Sequence, residues 1–140
     1  MKYDSTNIFG QILRGEAPAF VVDEDEFTLT FMDIMPQANG HTLVIPKEPA
    51  VDLFDISGEA LARVVLQTRR IAIAVDKAFE PDGVSIMQLN RSAAGQTIFH
   101  LHFHIIPRWN DRQMKLHGAI QSSSEALKKN AQLIRKKLTE

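Results

Sequence analysis

His100-Leu101-His102-Phe103-His104-Ile105-Ile106 alternates imidazoles with apolar side chains and closes on an apolar pair. The chain has five histidines in 140 residues, and three of them fall in this run. Successive side chains of a β-strand point to opposite faces, so His100, His102 and His104 share one face and Leu101, Phe103 and Ile105 the other. A helix would spread the three imidazoles over roughly 200° of arc. The flanking Ile98 and Phe99, with Phe103, Ile105 and Ile106, favour the strand. Pro107 lacks a ladder donor and is expected to end it.

Such a row of imidazoles supports three readings. The histidines are polar residues on the wet face of a half-buried strand; or two of them, at i and i+2, ligate a metal ion; or one is a nucleophile oriented by a neighbouring histidine or backbone group. His100 and His104 lie about 13–14 Å apart along an extended strand, so one ion would not easily take all three and would need an outside ligand. Imidazole titrates near neutral pH and can serve as nucleophile or proton donor. The preceding Asn90-Arg91-Ser92-Ala93-Ala94-Gly95-Gln96-Thr97 is a small polar loop. Asn90, Gln96 and Thr97 are neutral hydrogen-bonding groups that could hold phosphate oxygens. The loop therefore favours the nucleophile.

The segment Gly95-Gln96-Thr97-Ile98-Phe99-His100-Leu101-His102-Phe103-His104-Ile105-Ile106-Pro107-Arg108 resembles the signature of the histidine triad (HIT) superfamily of nucleotide hydrolases and transferases. Phe31 to Lys47 is similar to a second block of that family, and Asn7 to Glu16 to its opening helix. The resemblance covers roughly residues 7 to 108 and implies a single HIT domain over 1–140, with a tail and helix from 109 onward. It implies His102 as nucleophile on the α-phosphorus of a nucleotide, with His100, His104, His41 and Gln96 completing the catalytic set. Asn90 and Thr97 would meet the phosphate and Asp33 the ribose hydroxyls. Ile8, Phe9, Phe31 and Ile34 would form the nucleoside pocket. Read without the family, Asp33 is a solvated carboxylate in a turn, His41 a satisfied core histidine and the apolar four plain core. In many relatives two cysteines flank the Ile-Phe pair and help bind a structural zinc. Asn7 and Gly10 stand there in this chain, and Pro49 stands near the place of a histidine ligand. No structural zinc, no cofactor and no catalytic metal are expected.

Hydrophobic residues make up 44% and charged residues 24%, ordinary values for one globular domain. The net charge of −1 gives no general attraction to nucleic acid or anionic membrane. No apolar run approaches the ~20 residues that span a bilayer, and the start shows no signal-peptide pattern. The absence of cysteine excludes disulfides, thiolate catalysis and cysteine-ligated zinc, and it fits a cytoplasmic protein.

Along the chain, residues 1–6 are expected to be loose. Asn7 caps a short helix through Leu13, which Gly15 stops. Strands are expected at Phe20–Asp23, Phe27–Met32, His41–Ile45 and Val84–Leu89, with the triad strand fifth. Ser57 caps a long helix whose stripe is Leu61, Val64, Val65, Thr68, Ile71, Ala72, Val75 and Phe79, with Arg63, Gln67, Arg70 and Lys77 elsewhere. An irregular tail follows Arg108, and Ser122-Ser123-Ser124 leads into a last helix. This is an α+β domain: a five-stranded antiparallel sheet with one long packed helix, a short N-terminal helix and a C-terminal helix. The resemblance implies a homodimer joined through strand and helix edges. Two other readings stay open: a nucleotide-binding module with little catalysis, and a metal-dependent hydrolase using the histidine face.

Overall fold

The computed structural model describes residues 1–113 and 121–140; of the irregular tail expected after Arg108, residues 114–120 lie outside the described residues. The order is α1 (Ile8–Leu13), β1 (Val21–Glu24), β2 (Thr28–Met32), β3 (Thr42–Pro46), α2 (Gly58–Phe79), β4 (Gly83–Met87), a 3-10 turn (Ser92–Ala94), β5 (Phe103–Arg108) and α3 (Ser124–Leu138). The strands form one sheet in the order β1-β2-β3-β5-β4, with every neighbouring pair antiparallel. The α+β class and its five-stranded antiparallel sheet are as the sequence predicts.

The helices start where their caps stand. Asn7 accepts from the Gly10 N–H and Ser57 from the Ala60 N–H, each satisfying a first-turn donor the helix leaves open. Ser123 does the same for α3 through the Ala126 N–H. One face of the sheet carries Val22, Met32, Val44 and Ile105, covered by Ile71, Ala74 and Val75 of α2 and by Leu127, Ala131 and Ile134 of α3. The opposite face carries Leu29, Phe31, Leu43 and Ile45, on which Phe9 of α1 packs edge-on to Phe31. Among the described residues the sheet thus has a thick layer on one side and a single short helix on the other. That thin side leaves room for a pocket.

Four local expectations change. β5 begins at Phe103, so His100 and His102 precede the ladder. They run instead beside the segment after β3, where the Leu101 N–H donates to the Ala50 carbonyl. Pro107 does not end the strand but sits inside it, opposite Val84. The β3 ladder closes with Thr42 opposite Ile105, so at Pro107 the strand is paired on one side only, an edge situation that tolerates proline. On α2, Val65 lies on an exposed apolar face with Leu66 and Ile73, while Gln67 is buried and donates to Asp23. Residues 1–6 are anchored, since Asp4 and Tyr3 both accept from the Asn7 side chain.

Gly40, immediately before His41, has φ +92°, and a Cβ there would come within 2.8 Å of the Phe79 ring. Only glycine fits this backbone at that approach, so the turn delivering His41 is tied to the C-terminus of α2.

Candidate active site

The alternation read from the triad holds in space. His104 on β5 stands opposite Leu43, on the α1 side of the sheet. His102 packs against His104, with ring centroids 4.8 Å apart, and against Phe9 at 5.0 Å. His100 lies deeper, fully buried and 6.4 Å from the Phe9 ring. His41, at the start of β3 and also fully buried, adds a fourth imidazole 5.1 Å from His104.

The hydrogen bonds set the protonation of each ring. A backbone N–H only donates and a carbonyl only accepts. The Gln37 N–H lies 3.0 Å from His41 Nδ1, so that nitrogen accepts and the His41 proton is on Nε2. His41 Nε2 is 2.9 Å from His104 Nδ1 and 3.5 Å from Asp33 Oδ2. His104 Nδ1 therefore accepts, and the His104 proton is on Nε2. His102 Nδ1 is 2.7 Å from the His100 carbonyl, so it donates and its lone pair is on Nε2. His100 Nε2 donates to the Pro46 carbonyl at 2.8 Å, and its Nδ1 is 2.6 Å from the Tyr3 hydroxyl. Burial, which disfavours the charged imidazolium, pushes the His100 pKa down from 6.5 to about 4.

His102 and His104 line a pocket of about 330 Å³ on the α1 side. Its walls are mainly apolar: Ile8, Phe9 and Ile12 from α1, Pro18 and Ala19 from the following turn, and Phe31, Leu43 and Ile98 from the sheet side. Asp33, buried rather than solvated, and the exposed Thr97 are polar groups in its lining, and Ile34 and Met35 complete it. Ile8 and Ile34 are among the exposed large apolar residues, which places them at the mouth. Asp33 is held by the Met35 N–H on Oδ1, a tight turn after β2, while its Oδ2 faces His41.

Two expected residues stand elsewhere. Gln96 is buried and its Nε2 donates both hydrogens within the fold, to the carbonyls of Val51 and Ile98, while Oε1 accepts from the Arg91 N–H. It has no donor left for a leaving group in this arrangement and instead fixes the loop that carries Thr97. Asn90 exchanges hydrogen bonds with Gln88 and accepts from the Leu53 N–H. Neither lines the pocket. Conversely, the sequence reading missed Tyr3, Ile98 and the Gln37 N–H. A backbone donor leaves no side-chain signature, and a lone tyrosine near the N-terminus gives no periodic one.

Asp33, His41 and His104 also bring three potential ligand atoms within 4.8 Å of one another. A metal on His41 Nε2 would require the proton on Nδ1, face to face with the Gln37 N–H. The cluster fits a chain of hydrogen bonds better than an ion. The structural zinc of many relatives fits no better here. Asn7 caps α1 in the place of one cysteine, Gly10 in the place of the other has no side chain, and both ring nitrogens of His100, which the resemblance makes the remaining ligand, are engaged by Tyr3 and Pro46.

Fold and triad together define a histidine triad domain. The model of the HIT domain matches residues 14–111, and the chain belongs to that family. It is similar to a solved Hit-like protein of Bartonella henselae described as involved in cell-cycle regulation, at 46% identity and TM-score 0.91, over 97% of this chain and 99% of that one. A zinc-bound histidine triad family protein of Mycobacterium smegmatis is 36% identical with TM-score 0.84, over 96% of this chain and 94% of that one. The adenosine 5′-monophosphoramidase hnt1 of Schizosaccharomyces pombe is 36% identical over 104 residues, 74% of this chain and 75% of that protein. No helix among the described residues is long and apolar enough to cross a membrane.

Proposed function

We propose that this protein cleaves the α-phosphate bond of a nucleotide conjugate, a nucleoside phosphoramidate or a dinucleoside polyphosphate, through a nucleotidyl-His102 intermediate. The observation that carries the reading is the held tautomer of His102: Nδ1–H on the His100 carbonyl and the lone pair on Nε2, beside a nucleoside-sized apolar pocket. Nε2 attacks phosphorus, and the bond to the leaving amine or phosphate breaks with its electron pair leaving on that group; a leaving amine takes up a proton from solvent as it departs. The ring keeps its Nδ1 proton and becomes positively charged, a charge the His100 carbonyl stabilises. In this reading the His104 Nε2–H and the Thr97 hydroxyl, both on the pocket wall, donate to the phosphoryl oxygens. Water then attacks phosphorus, Nε2 recovers its electron pair, and a nucleoside monophosphate and a proton are released. The similarity to an adenosine monophosphoramidase supports this class of substrate.

The test is release of AMP from an adenosine phosphoramidate and from a diadenosine polyphosphate, in EDTA. Release from either supports the reading. Binding of AMP with no release identifies a nucleotide-binding module instead, and release only when metal is restored identifies a metal-dependent hydrolase. Asp33→Ala is expected to raise KM for ribonucleotide substrates about tenfold, the loss of a charged hydrogen bond to the ribose. The same variant assayed with the 2′-deoxy substrate should show a smaller change; equal KM values in wild type and variant remove Asp33 from the ribose site.

The functional unit we propose is a homodimer in the cytoplasm, the compartment that fits a chain without cysteine. β4 is an edge of the sheet with Ile86 exposed, and α2 exposes Val65 and Ile73 beside it. An edge strand flanked by apolar side chains is suited to pairing with a second copy. Ile73→Glu is expected to halve the mass measured by sedimentation equilibrium. An unchanged mass, or a monomeric wild type, rejects this interface.

A further inference from the structure

We infer that Tyr3 is a positioning residue for the proposed reaction: its hydroxyl fixes the His100 ring, and through the His100 carbonyl it fixes the attacking nitrogen of His102. This rests on the reading of His102 as nucleophile. The argument begins at Pro46. Its carbonyl lies 2.8 Å from His100 Nε2 and can only accept, so it takes the ring proton of a neutral His100. That leaves a lone pair on Nδ1 in a residue with no exposed surface. A buried acceptor needs a donor, and the Tyr3 hydroxyl stands 2.6 Å away, on a ring that also meets His100 edge-on at 5.5 Å.

Tyr3 is in turn held. Its oxygen accepts from Asn7 Nδ2 at 3.1 Å, which leaves its own proton for His100. Asn7 also donates to the Asp4 carbonyl and accepts from the Gly10 N–H as the cap of α1. One side chain therefore starts the helix that supplies Phe9 to the pocket and orients the phenol that locks His100. The next link is covalent, since the carbonyl receiving His102 Nδ1–H at 2.7 Å belongs to His100 itself. The ring and the carbonyl share the His100 Cα, so a ring pinned by Tyr3 and Pro46 restrains the backbone that aims His102 and sets its tautomer. His100 and His102 precede the β5 ladder, and the peptide between His100 and Leu101 is held from its other side by one backbone bond, the Leu101 N–H to the Ala50 carbonyl, so the Tyr3 contact adds to a single backbone restraint. The low pKa of His100 agrees with a ring that stays neutral between these two partners.

Tyr3→Phe removes only the hydroxyl. In the full chain with adenosine phosphoramidate as substrate, kcat is expected to fall about ten- to a hundredfold, the scale of losing an aiming hydrogen bond near the nucleophile. AMP affinity should stay within twofold, because the pocket walls are untouched. A purely structural role would lower the melting temperature and leave kcat of the folded enzyme unchanged, and that result overturns the inference. Nitrogen-15 spectra of the imidazole rings separate this inference from the proposed function. If the wild type releases no AMP, the function fails, and the spectra judge Tyr3: His100 and His102 ring shifts unchanged in Tyr3→Phe reject it, and shifts moved at both support it. Should the variant not fold, the wild-type spectrum decides. His100 protonated on Nε2 supports the assignment, and His100 protonated on Nδ1 overturns it.

Discussion

His102→Ala is expected to lower nucleoside monophosphate release by at least about 10⁴-fold while the protein stays folded. Removing a nucleophile costs far more than removing a group that assists it, because the two-step route through a covalent intermediate is lost altogether. His104→Ala should be milder, about 10²–10³, since it removes one donor to a developing charge and leaves the attack in place. The difference in scale distinguishes the two roles. The fold should tolerate the change because His102 stands on the wall of an existing pocket beside Phe9, so truncation widens that pocket rather than opening a sealed void. The measurement is acid-quenched turnover with substrate labelled in the nucleotide. Wild type should carry label on the protein and His102→Ala none. Label retained by His102→Ala would move the nucleophile to another side chain.

The elements that fix the fold were readable because each carries a local physical signal. Asn7 and Ser57 cap their helices as short polar residues do, and the alternation from His100 to Ile105 sorts side chains between two faces. The departures arise where a neighbouring element, rather than local pattern, decides. Pro107 sits within β5 because β3 has ended beside it, a fact about a segment some sixty residues earlier in sequence. Val65 continues an apolar stripe but faces outward, since period alone does not say how wide a face the sheet covers. At the site, side-chain identity gave His102, His104, Asp33 and Thr97, which meet at the pocket with Ile8, Phe9, Phe31 and Ile34, while His100 and His41 stand behind it. It gave Asn90 and Gln96 too, yet their amides are used within the fold, tying the loop to Leu53 and Val51. An amide that can hold phosphate can equally hold backbone, and the sequence does not say which is nearer.

Lowering the pH from 7 to 4 is expected to reduce unfolding free energy by about 3 kcal/mol through His100 alone. The sign follows from where each state binds its proton. In the unfolded chain the imidazole takes a proton near 6.5, while in the folded protein burial delays this to about 4. Between those values the unfolded state holds more protons, so acid favours it, and the loss approaches about 1.4 kcal/mol per pH unit. Above 6.5 both states are neutral and the effect vanishes. Asp55 acts in a lower window. Burial raises its pKa, but the N–H groups of Asp52 and Val51 outweigh that and hold it below the usual 3.8, so its contribution fades only in stronger acid. Urea denaturation at pH 7, 6, 5 and 4 would show the loss in wild type. His100→Asn cannot titrate, and its curve against pH should be flatter by about 1 kcal/mol per unit across the same range. Parallel curves for the two proteins would mean that the folded His100 takes up its proton as readily as the unfolded one. Burial between Tyr3 and Pro46 would then not disfavour the charged imidazolium.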